Sequence, residues 1–94
     1  MATGMKHDAG KLRYDLMPTN SLRQIVEVLT HGAEKYGDEN WRNVENMDAR
    51  YYAALMRHIE AWRAGELVDK ESGKHHLAHA ACCLVFLLGE EAVK

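Results

Sequence analysis

Between Glu66 and His79 the sequence concentrates three carboxylates, Glu66, Asp69 and Glu71, and three histidines, His75, His76 and His79, in the stretch GELVDKESGKHHLAHA. Carboxylates are the ligands that a hard divalent cation takes, and a cation so held acidifies a bound water. Glu66 and Asp69 form an ExxD pair, which shares one face if a helix runs through both. With Glu71 they make a candidate site for one or two Mg2+ or Mn2+ ions that keeps positions open to water and phosphate. The competing reading is a solvated turn that places Glu71 near a helix N-terminus, where a negative charge is favoured.

His76 and His79 stand at i, i+3, and His75 and His79 at i, i+4, so either pair is able to face one point on a helix. Cys83 lies one turn beyond His79, yet no CxxC pair is present to complete a zinc site. Hydrogen bonding, or orienting a neighbouring ligand, is the better role for the histidines. Upstream, Arg57 is a candidate phosphate clamp and His58 a candidate orienting group, against a surface arginine and a core histidine. The segment KHDAGKLR, with Lys6, Lys11 and Arg13, is a basic arm without the GxxxxGK[ST] pattern of a P-loop. In EKYGDENW, Glu34, Lys35 and Trp41 are placed to line a cleft, with Trp41 or Tyr36 available to stack on a base. For Tyr36, core packing is the stronger expectation.

Three helices must position these groups. Leu22, Ile25, Val26, Leu29, Ala33 and Tyr36 recur with helical spacing, with a Ser21–Gln24 capping box before them and Gly37 after. A second helix is predicted from about Ala49 to Ala64. Asp48 caps it, Met47 and Tyr52 form a hydrophobic staple, Gly65 stops it, and its apolar face is Tyr52, Leu55, Met56, Ile59 and Trp62. A third runs from near Lys74, capped by Ser72, to about Glu91. From Ala80 to Leu88 it is apolar on every side and so requires cover on every side. Three helices in one chain cannot supply that, which predicts a homo-oligomer (dimer or higher) built through the third helix. The expected fold is a small all-α bundle forming one domain over residues 1–94, with residues 1–19 as a basic polar arm.

Composition narrows the function. Apolar residues at 47% and charged residues at 28% are ordinary for a globular domain of 94 residues. A net charge of −2 argues against coating duplex nucleic acid. The first ten residues carry no apolar core of a signal peptide, and Ala80–Leu88 is too short to cross a bilayer. The two cysteines, Cys82 and Cys83, are adjacent, which is no disulfide framework, and the expected compartment is a reducing cytoplasm. Their apolar surroundings argue against a nucleophilic role.

Taken in order, KHDAGKLRYDLMP, HGAEKYGDENWR, RHIEAWRAGE and DKESGKHHLAHA resemble the N-terminal domain family of phage and bacterial dATP/dGTP diphosphohydrolases. That family is similar to the all-α, MazG-like nucleoside triphosphate pyrophosphohydrolases. The resemblance implies a helical oligomer acting on purine deoxynucleoside triphosphates, cleaved between the α and β phosphates to monophosphate and pyrophosphate. It implies Lys11 and Arg13 as phosphate contacts, Lys35 and Trp41 as lining groups, and Asp69, Glu71, His76 and His79 as the polar centre. MazG-like enzymes carry an ExxE on one helix and an ExxD on the next. Here no ExxE exists, and Glu34 is the candidate for the missing carboxylate.

Two functions are therefore expected in competition. One is a metal-dependent pyrophosphohydrolase, its Mg2+ or Mn2+ held by Asp69 and Glu71 with Glu66 or Glu34, its triphosphate neutralised by Lys11, Arg13 and Arg57. The other is a non-catalytic phage-type protein, in a host cytoplasm, that sequesters a nucleotide or a cyclic oligonucleotide signal.

Overall fold

In the computed structural model, which describes residues 3–93, the chain is three helices: α1 (Thr19–Tyr36), α2 (Met47–Arg63) and α3 (His76–Glu91). Short 3-10 turns at Tyr14–Leu16 and Asn40–Asn43 precede α1 and α2, and the described residues contain no strand beyond one isolated bridge, Val68 to His75. The expected all-α class holds. α3 packs against both other helices, while α1 and α2 have little direct contact. They flank α3 and leave a cleft between them.

Small residues let α3 serve two neighbours at once. Ala78 and Cys82, one turn apart, pack on Val28, Ile25 and Leu29 of α1, and the Cys82 thiol donates to the Ile25 carbonyl at 3.3 Å. Toward α2, Phe86 stacks on Trp41 at 5.0 Å and meets the edge of Tyr51 at 5.1 Å. Gly89 leaves room for the indole, since a β-carbon there would lie 3.1 Å from Trp41.

The helix starts differ from the sequence expectations. α1 begins at Thr19, directly after Pro18, so Ser21 already lies within the first turn and the Ser21–Gln24 box makes no cap. Pro18 is the N-cap itself, with ψ 124°, and its carbonyl accepts the Leu22 N–H at 3.0 Å. α2 starts at Met47 behind Asn46, which adopts φ 55°, and Asp48 accepts only from the next amide, Ala49 N–H. Met47 is buried but Tyr52 is exposed, so there is no staple between them. α3 is capped by His75, whose Nδ1 accepts the Leu77 N–H at 3.0 Å, rather than by Ser72. The predicted stops are present: Gly37 and Gly65 take φ of 96° and 103°, open to glycine without strain.

The described core is thin. Ala80, Cys82 and Cys83 are buried as expected, but Leu84, Val85 and Leu88 of the same apolar run are exposed, as are Tyr52 and Met56 on α2. The accessible area is 7601 Å2, against about 5,500 Å2 for a compact monomer of this mass. The radius of gyration is 16.7 Å, against about 12 Å for a compact domain of this length.

Phe86 packs on the α1–α3 cluster and meets Trp41 and Tyr51, so Phe86→Ala is expected to cost about 2–3 kcal/mol, less than full burial would because the ring is only partly buried. Denaturant unfolding checks this. A cost below about 0.5 kcal/mol, the scale of an ordinary surface substitution, would mean the aromatic cluster does not anchor the Trp41 turn.

Candidate functional site

The polar segment singled out above forms the hairpin between α2 and α3, and its shape depends on one aspartate. Asp69 Oδ2 accepts from the Ser72 backbone N–H at 2.9 Å and from the Ser72 hydroxyl at 2.8 Å. The Asp69 carbonyl accepts from Gly73 N–H and its own N–H donates to Lys74 O, both at 2.8 Å. Gly73 takes φ 74°, which lets the chain turn back. His76 N–H then donates to Leu67 O at 2.8 Å, which sets the start of α3 beside the end of α2.

This fold-back brings three imidazoles together. His58, on the inner face of α2, lies with Nδ1 2.8 Å from Nδ1 of His76, and its ring stacks on His79 at 4.6 Å and 8°. His79 Nε2 is 2.7 Å from the Ser72 hydroxyl. Because that hydroxyl spends its one proton on the ionised Asp69, His79 Nε2 must be the donor, leaving Nδ1 as its acceptor. Asp69, Ser72 and His79 thus form a relay that fixes the His79 tautomer.

Burial pushes the His58 and His79 pKa values down, and the neighbouring imidazoles push the same way, while Asp69 opposes the shift in part for both. Both rings are neutral near pH 7. Burial acts to raise the Asp69 carboxyl, but the two Ser72 bonds and the facing imidazoles outweigh it and hold it below the usual range. Burial raises Cys82 to about 12 and Cys83 to about 11, so neither thiol is a nucleophile.

A cleft of about 720 Å3 opens onto this cluster between α1 and α2, within the size range of small-molecule sites. His58, Asp69, Ser72 and His79 line one part, and Tyr36, Trp41, Tyr51 and Phe86 line another. Trp41 is less free to stack than its position implies. Phe86 covers one contact and the Arg42 guanidinium lies 4.4 Å from the ring centre. Tyr36, expected in the core, is instead 62% exposed at the cleft, with Lys35 Nζ 5.1 Å from its ring centre, and is the more exposed of the two rings.

The proposed oxygen cage is not assembled. α2 ends before Glu66, so Glu66 and Asp69 do not share a helical face. Glu66 faces His76 at 3.6 Å, and Glu71 pairs with Lys35. Glu34 lines a separate groove on α1. The four carboxylates do not gather as an all-oxygen Mg2+ site, because Glu66 faces His76, Glu71 pairs with Lys35, Asp69 is held by Ser72 and Glu34 lies in the other groove. The expected phosphate contacts are also dispersed: Lys11 and Arg13 lie on the exposed arm, Arg13 pairing with Asp15 at 2.7 Å, and exposed Arg57 is not part of the cleft lining. Lys35 does line the cleft. Ser72 is the site residue the sequence reading missed, although the D-x-x-S-G spacing marks an Asx-type turn that would have found it.

Architecture and site together define a three-helix all-α domain with a ligand-sized cleft floored by a histidine–aspartate cluster. The chain belongs to the dATP/dGTP diphosphohydrolase, N-terminal family, which it matches over residues 1–94. It is 35% identical over 85 residues to a Salmonella phage PMBT28 protein named dATP/dGTP diphosphohydrolase, an alignment covering 90% of this chain and 29% of the relative. No solved structure matches it. Among the described residues, no helix is long and apolar enough to cross a membrane.

Since His58 and His79 protonate less readily folded than unfolded, the unfolded chain takes up protons first as pH falls below about 6.5. Stability is therefore expected to decline from pH 7.5 to about 5.5, with Asp69 contributing further loss only at lower pH. Thermal melts in chelator check this, and His79→Gln should flatten the slope. A rising melting temperature over that range would contradict the assignment of neutral rings.

Proposed function

We propose that the cleft binds a purine deoxynucleoside triphosphate and that the chain hydrolyses it between the α and β phosphates. The observation that carries this reading is the pairing, in one cleft, of an exposed aromatic rim with the Asp69–Ser72–His79 relay; the name of the phage relative agrees with it. The base lies on Tyr36, and Lys35, released from Glu71, meets the phosphates. His79 Nδ1 accepts a proton from the attacking water. The water oxygen bonds to the α phosphorus, the bond from that phosphorus to the bridging oxygen breaks, and pyrophosphate leaves.

A second copy of the chain completes the unit in this account, covering the Leu84, Val85 and Leu88 face of α3. That face is exposed apolar surface of the kind an obligate interface buries. Sedimentation is expected to give a mass of at least twice 10.7 kDa, and a strictly monomeric protein would remove this part of the reading.

The dispersal of Glu34, Glu66 and Glu71, together with the pairing of Lys35 to Glu71, favours a second reading in which the nucleotide, linear or cyclic, is retained and not cleaved. One experiment separates them. Incubation with each dNTP and NTP under Mg2+, Mn2+ or Co2+, followed by chromatography, is expected to yield monophosphate and pyrophosphate from dATP or dGTP. His79→Gln should lower that rate about 10²–10⁴-fold, the range for loss of a general base. Tyr36→Ala should weaken binding by about 1–3 kcal/mol, the scale of one base–aromatic stack. Intact nucleotide recovered from the protein across the panel would establish retention instead.

A further inference from the structure

The crowding of His58, His76 and Asp69 has a geometry that a hydrogen-bond network alone does not explain. One ring nitrogen of each histidine and one oxygen of Asp69 all lie within 4.8 Å of one another. The two Nδ1 atoms are 2.8 Å apart. Two ligands about 2.1 Å from one ion stand about 3.0 Å apart at right angles and about 3.4 Å apart in a tetrahedron, so the rings lie within a few tenths of an ångström of the right-angle spacing.

As a simple hydrogen bond, the same contact leaves a cost. It places one proton between the rings, and in either arrangement His76 keeps its other nitrogen, Nε2, unpartnered. That atom is buried without a hydrogen bond, on a side chain only 7% exposed. It faces Glu66 Oε2 at 3.6 Å, beyond hydrogen-bonding distance. A histidine that binds metal through one nitrogen commonly offers the other N–H to a carboxylate. With Nδ1 on an ion, His76 carries its proton on Nε2, the atom that faces Glu66. Asp69 is prepared in the same way: Ser72 holds Oδ2 with two bonds, and Oδ1 has no hydrogen bond among the described residues.

We propose that His58, His76 and Asp69 form a binding site for one first-row transition-metal dication, with Glu66 orienting His76. Two imidazole nitrogens and one carboxylate oxygen suit Mn2+, Co2+ or Zn2+ and do not suit Mg2+, which takes oxygen ligands. Because His58 and Asp69 line the cleft, water or a phosphate oxygen of a bound ligand completes the coordination from that side. The site stands whether or not the cleft turns over a nucleotide.

The test uses the full chain, stripped with chelator, dialysed and titrated with Co2+ alone, read by calorimetry and visible absorption. One Co2+ per chain is expected, with ligand-field bands from nitrogen coordination, and with Mg2+ failing to compete. Glu66→Gln should weaken Co2+ binding about 10–100-fold. His58→Gln and Asp69→Asn should remove the bands while circular dichroism stays helical, and His75→Gln, altered only at the helix cap, should bind as the unaltered chain does. No saturable Co2+ uptake would overturn the proposal, as would unchanged binding in His58→Gln or effective competition by Mg2+.

Discussion

The fold-back around Asp69 is the constraint on which the rest of the structure depends. Its carboxylate holds Ser72 by two bonds, and its backbone closes on Gly73 and Lys74, so residues 64–75 after α2 return α3 alongside it in fixed register. That register sets His76 and His79 opposite His58, and it sets Phe86, two to three turns further on, opposite Tyr51 and Trp41. One ionised side chain thereby links the polar floor of the cleft to its aromatic wall. A missing side chain at position 69 would loosen both, because His76, His79 and Phe86 ride on the same helix.

α3 carries conflicting demands, and its sequence shows how they are met. Ala78, Ala80, Cys82 and Cys83 are small enough for two helices to approach, yet Leu84, Val85 and Leu88 project outward. The first group builds the fold of one chain. The second is apolar surface that one chain leaves in water, at about 25 cal/mol per Å2. The burial that the isolated chain lacks and the cleft it encloses therefore belong to the same helix.

The helices were legible in the sequence because they rest on periodicity and on glycine: the face Leu22 to Tyr36 and the stops at Gly37 and Gly65 are local signals. Helix starts were less legible. Pro18, Asn46 and His75 lie at the three N-termini; Ser21 and Ser72 have better intrinsic capping chemistry than Pro18 and His75, and Asp48 is no better a cap than Asn46. Ser72 was drawn instead into the Asp69 turn, which a count of caps does not foresee. At the site, the histidine spacing correctly placed His76 and His79 toward a common point. Grouping the carboxylates by sequence distance failed, because Gly65 ends α2 and the turn then sends Glu66 to His76 and Glu71 to Lys35. His58, eighteen residues before His76, joins them only through the hairpin. Tyr36 continues the apolar period of α1 but falls past the end of α3's cover, so it is exposed where periodicity predicts burial.

The central claim is that a nucleotide occupies the cleft against the histidine–aspartate floor. The most direct measurement is NMR of the histidine and tyrosine ring signals during titration with dGTP. The account predicts shifts in His58, His79 and Tyr36, with His75 and His7 unmoved. Saturable binding that shifts only His7 and the arm around it, leaving His58 and His79 unchanged, would contradict it.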